Sequence, residues 1–195
     1  MKRKSLLSIA LLGLLMAQAC RDTGTKESAA HSAAVDSAMK ADVITDTAGI
    51  NRGAGTTEFI NDAGHIGLLE LELSKAALQK ATNPKVKDFA KMMVKDYTKI
   101  TEKLKKLAES KKITLATTLP EADQAHLAEL QKMDVAGFEK HYMGMIVKNH
   151  IKTLDLYKGA ATSGDSPLQN FAKGVLKTLE WNYKQATSVH NKLDL

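Results

Sequence analysis

Four long stretches of the chain repeat apolar residues in alternating steps of four and three, the period of a helix that buries one stripe against neighbouring helices. The first predicts a helix over 57–81, with the stripe Phe59, Ala63, Ile66, Glu70, Leu73, Ala77. The second, over 84–110, carries Val86, Ala90, Met93, Tyr97, Ile100, Leu104, Leu107. The third, over 135–162, carries Phe138, Tyr142, Ile146, His150, Thr153, Tyr157, Ala161. The fourth, over 166–193, carries Leu168, Ala172, Val175, Leu179, Asn182, Ala186, Val189, Leu193. No stretch alternates with the period of two that marks a strand.

The boundaries carry their own chemistry. Thr56 or Thr57 is placed to cap the first helix, with Glu58 in its first turn. Asn83-Pro84 and Ser166-Pro167 each read as a cap followed by proline at the first helical position. Asp134 is placed to cap the third helix, and Ser163-Gly164 to end it. Between the second and third, Pro120, Glu121 and Asp123 open a short extra helix to about Met133, with Leu127 and Leu130 apolar, expected to cross the end of the assembly. The expected fold is all-α: an antiparallel four-helix bundle with one short helix inserted.

Each stripe contains one polar residue where an aliphatic one is expected: Glu70, Tyr97, His150 and Asn182. The helix midpoints fall near positions 69, 97, 148 and 180, so each polar residue sits within about 3 Å of axial rise from its midpoint. Helices of similar length joined by short turns pack with their midpoints level. The four should therefore meet in one buried layer, where each needs a partner because an unpaired buried polar group is costly. An internal echo, Val94-Lys95-Asp96-Tyr97-Thr98-Lys99 against Val147-Lys148-Asn149-His150-Ile151-Lys152, pairs Tyr97 with His150.

The first 19 residues read as a signal peptide. Lys2, Arg3 and Lys4 precede an apolar run from Leu6 to Met16, and Ala17-Gln18-Ala19 offers small residues for cleavage. The run is too short to span a bilayer. Cys20, the one cysteine, follows at once and cannot form an internal disulfide. Its position suits lipidation, as in a bacterial lipobox, and makes a membrane the expected anchor. Ordinary secretion with a free thiol is the alternative. Residues 20–55, rich in Ala, Ser, Thr, Asp and Gly, read as a flexible tether spanning roughly 30–35 Å. Residues 56–195 form the expected bundle domain.

Composition agrees with this reading. Hydrophobic residues make up 44% and aromatics 5%, which suits an aliphatic helical core. The 28 basic and 22 acidic residues become 25 and 22, or +3, once the leader's three are removed. They are interspersed, and no basic block points to nucleic acid. No serine sits in a Gly-x-Ser-x-Gly elbow, and no phosphate-binding glycine loop is present. His65, His126, His141 and His190 lie off the stripes or at edges and read as solvated or edge-packed. The methionines read as core filler, and Trp181 as packed on the bundle's flank.

Three runs carry a family likeness: Gly67-Leu68-Leu69-Glu70-Leu71-Glu72-Leu73; Asn83-Pro84-x-Val86-Lys87-x-Phe89-Ala90-x-x-Met93-Val94-x-Asp96; and Tyr142-Met143…Val147-Lys148-Asn149-His150. Over about Phe59 to Leu193 the chain resembles the bacterial family called domain of unknown function 4142. The resemblance implies a ferritin-like bundle, often exported, with no established activity. It also implies paired carboxylates at Glu70 and Glu72, and histidines at the positions of Tyr97, His150 and Asn182, of which only His150 is histidine here. Ferritin-like di-iron centres use Glu-x-x-His motifs, but Val147 precedes His150 by three and Leu179 precedes Asn182 by three. Two readings remain. One is a non-enzymatic envelope protein without a cofactor, acting through an unknown protein partner from an anchor facing periplasm or cell surface. The alternative is a single zinc or iron ion held by Glu70, His150 and Tyr97.

Overall fold

The computed structural model describes residues 55–193; the expected signal peptide, Cys20 and nearly all of the expected tether lie outside the described residues. The described residues form five α-helices and no strand: α1 (Thr56–Lys80), α2 (Pro84–Ser110), α3 (Glu121–Lys132), α4 (Val135–Ala160) and α5 (Ser166–His190).

The helix ends follow from local hydrogen bonding. Asn83 Oδ1 accepts from the Lys85 amide at 2.9 Å, and Asp134 Oδ1 from the Gly137 amide at 2.8 Å. Two caps differ from expectation. α5 is capped by Asp165, whose Oδ1 accepts from the Leu168 amide at 3.3 Å, so Ser166 is already helical. α1 begins at Thr56, one residue earlier than a Thr56 cap requires and two earlier than a Thr57 cap, with Gly55 at the cap position and Glu58 reaching back to accept from the Gly55 amide at 3.2 Å. At the end of α2, the Lys112 amide bonds the Glu109 carbonyl and the Ile113 amide bonds the Ala108 carbonyl. That pair of bonds is a Schellman motif, which puts Lys112 in the left-handed region at φ 58°. No glycine has positive φ among the described residues, so Gly164 ends no helix in that way.

The four long helices form a helical bundle in which α1 packs on α2 and α4, and α5 packs on α2 and α4. Every stripe residue of α1 and α2 is buried, as are those of α4 up to Tyr157 and of α5 up to Ala186. At one end the Thr56 hydroxyl donates to Asp165 Oδ2 at 3.0 Å, Lys111 pairs with the same carboxylate, and Phe59 meets Tyr157 edge-on at 5.2 Å. At the other end Glu139 Oε1 accepts from the Thr82 and Asn83 amides at 2.7 and 2.8 Å, and Lys80 lies over the Phe138 ring.

α2 therefore finishes at the end where α4 also finishes, and the link between them must return along the bundle's length. α2 has 27 residues, about 40 Å at 1.5 Å per residue. The short helix does not cross the bundle end, as expected from sequence, but runs lengthwise on α1. Gly64 seats the connector: a Cβ there would stand 2.8 Å from Leu115 Cδ2. Further along, Lys80 Nζ donates to the Gln131 carbonyl at 2.8 Å. α1 also buries Ile60, Leu69 and Ala76 besides its stripe.

Candidate functional site

Glu70, Tyr97, His150 and Asn182 are each at most 1% exposed. Three of them come together. Tyr97 Oη lies 3.5 Å from His150 Nε2, with the rings edge to face at 5.9 Å, and Glu70 Oε1 lies 3.9 Å from His150 Nδ1. Asn182 does not join this trio. With its amide nitrogen turned toward them, it donates to Asp96 Oδ2 at 3.1 Å and to the Thr178 carbonyl at 3.2 Å. Its partner on α2 is thus the neighbour of Tyr97 rather than Tyr97 itself.

The tautomer of His150 follows from its surroundings. Nδ1 sits 3.0 Å from the Ile146 carbonyl, which can only accept, so the neutral ring carries its proton there. Nε2 is left as an acceptor facing the Tyr97 hydroxyl. Burial pushes the His150 imidazolium down to about 4, against the opposing pull of the Ile146 carbonyl. Burial pushes the Glu70 carboxyl up to about 8, opposed by the Asn149 amide. Burial thus favours the uncharged form of each, and their 3.9 Å separation is too long for a hydrogen bond. Neither Glu70 carboxyl oxygen completes a hydrogen bond, nor does Asn149 Nδ2. Burial first, and Glu70 second, also hold the Tyr97 phenol well above its ordinary value.

A second ring of polar residues surrounds the trio. Ser74 Oγ donates to the Glu70 carbonyl at 2.7 Å and lies 3.1 Å from Tyr142 Oη. Thr153 Oγ1 donates to the Asn149 carbonyl at 2.9 Å. Ser74 stands one turn after Glu70, and Thr153 one turn after Asn149, spacings that share a helix face. That spacing is the signal by which Ser74 and Asn149 could have been found.

Three of the four histidines expected to be solvated or edge-packed, His65, His126 and His141, meet where α3 packs on the bundle. His65 Nε2 meets Asp123 Oδ2 at 2.5 Å, and Asp123 is 3% exposed. His126 lies against buried His141, ring centroids 5.5 Å apart, and its Nε2 is 3.4 Å from Met145 Sδ. Burial lowers the imidazolium of both His126 and His141. Two large apolar side chains stand in solvent: Trp181, expected to pack on the flank, is 53% exposed, and Ile151 is 48% exposed.

Among the described residues, no group of three or more His, Cys, Asp or Glu side chains is placed to hold a metal ion, and no helix is long and apolar enough to cross a membrane. Residues 44–189 match the family described as Domain of unknown function (DUF4142). A DUF305 fragment from Deinococcus radiodurans has a similar fold, with a TM-score of 0.62 at 10% identity, over 70% of this chain and 95% of that one. No curated protein matches.

Proposed function

The chain belongs to the DUF4142 family, and from that premise we propose that it is an exported, lipid-anchored helical domain of the bacterial cell envelope that works through protein contacts rather than catalysis. The bundle is an antiparallel four-helix bundle of ferritin-like connectivity. Helix contacts in a closed cycle and the lengthwise return of the chain through α3 support that class.

The observation that carries the non-catalytic reading is the state of the central trio. Glu70 and His150 are sealed at 0% exposure, and burial disfavours the charged form of each. A buried polar layer of this kind fixes which helices face one another and in which register. The contact surface would include Trp181, whose large apolar area is left half in water. The leader and Cys20 supply the address. Palmitate labelling tests it: incorporation into the full chain that disappears in Cys20→Ser is the expected result, and equal labelling of both refutes the anchor.

One observation favours a second reading, a zinc or iron ion at Glu70, His150 and Tyr97: the two partnerless Glu70 oxygens. His150 suits it in part, since an Nδ1 tied to a carbonyl orients Nε2 as a ligand. The whole set fits poorly. It offers three donors where zinc takes four, and burial keeps Glu70 protonated near neutrality. Elemental analysis separates the readings: stoichiometric metal that is lost in His150→Ala would establish the second.

A further inference from the structure

The flank under α3 has a chemistry that the proposed envelope role does not use. His126 Nε2 points at Met145 Sδ from 3.4 Å. Bonds of about 2.0 Å to nitrogen and 2.3 Å to sulfur at a tetrahedral angle put those two atoms about 3.5 Å apart. His141 packs on His126 with centroids 5.5 Å apart; two imidazoles bound to one ion at about 2 Å also stand about 5–6 Å apart. His141 is 7% exposed and its Nε2 has no hydrogen-bond partner, so a buried lone pair or N–H is left over in this cluster.

We propose that His126, His141 and Met145 bind one soft monovalent metal ion, Cu(I) or its redox-inert counterpart Ag(I), where α3 lies on α4. A thioether beside two imidazoles selects Cu(I) over zinc, magnesium or calcium. The Asp123 carboxylate, which meets His65 at 2.5 Å, is close enough to act on His126 and adds negative charge that suits a cation. His126 and Met145 are only half-buried, so an ion reaches them from the α3–α4 edge without opening the bundle.

The test uses the full chain carrying Cys20→Ser, which removes the competing thiol. Ag(I), and Cu(I) under anaerobic conditions, are titrated against a chromophoric chelator, and the Met145 methyl and histidine ring signals are followed by NMR. One equivalent should bind while the Met145 methyl and the His126 and His141 rings shift together. Met145→Leu, nearly volume-conserving, and His126→Gln should each weaken binding about a hundredfold or more. His150→Gln should leave it unchanged. Chelator-level background binding, or binding indifferent to Met145→Leu, overturns the site. So does an ion lost in His150→Gln alone, which would belong to the central trio instead. Should a variant fail to fold, the wild-type Met145 methyl shift still decides the matter.

Discussion

At mid-height of the bundle Glu70 and His150 have no exposed surface, while on the α3 flank His126 and Met145 keep an edge to water. The two regions hold similar groups, a carboxyl and imidazoles, under different access. In the centre four helices close from all sides, and desolvation disfavours the charged form of both titratable groups. On the flank one short helix covers α1 and α4 incompletely, so Asp123 finds His65 and His126 stays within reach of solvent. Full enclosure suits a register-setting role, and partial cover suits an exchange with something from outside.

The largest effect that separates the regions is packing. Tyr97→Ala should cost about 3–5 kcal/mol by urea denaturation, whereas His126→Ala on the flank should cost about 1 kcal/mol or less. Equal costs would erase the distinction.

The next effect is electrostatic. Glu70 has its pKa raised from 4.5 to about 8 on folding, so its contribution is present below pH 4.5 and is lost as pH rises toward 8. His150 has its pKa lowered from 6.5 to about 4, so its contribution is present above 6.5 and is lost as pH falls toward 4. Between pH 4.5 and 6.5 the two slopes oppose and cancel. From 6.5 to 8 Glu70 alone should lower stability. Glu70→Gln should flatten that upper limb and be about 2–4 kcal/mol more stable than wild type at pH 9. Parallel pH profiles for the two proteins would show that Glu70 is not held protonated.

Smaller still, Asp123→Asn should cost about 1–2 kcal/mol. It should speed amide exchange in α3 while leaving α4 protected, since the His65 contact pins the short helix to α1. Exchange rising equally in both would mean that flank and core open as one. The smallest change touches neither region. Lys112→Gly relieves a left-handed lysine at φ 58° and should stabilise the fold by about 1 kcal/mol in thermal melts.

Particular residues show what could be read without coordinates. Phe59, Ala63, Ile66, Leu73 and Ala77 were legible as a buried stripe because helical periodicity is local and one-dimensional. Asn83 and Asp134 were legible as caps for the same reason. Asp165 was missed because Ser166 beside it has the same capping chemistry, and only the Lys111 and Thr56 contacts from distant segments favour the aspartate. His126 and His141 fall off the main stripes, so a reading with one apolar face per helix puts them in water. A hint was present: Leu68, Leu69 and Leu71 on α1, and Met145 and Val147 on α4, spread apolar residues beyond one face, which calls for a second cover.

The sequence by itself determined the four long helices, the Asn83 and Asp134 caps, the all-α class and the depth of Glu70, Tyr97, His150 and Asn182, since propensity, capping and periodicity all act within a few turns. Only the tertiary structure decided which polar groups meet. It turned Asn182 toward Asp96, brought His150 to Tyr97 and laid α3 along α1 so that His126 reached Met145. Those choices depend on the azimuth of each helix and the path of a long connection, and contacts between remote segments fix both.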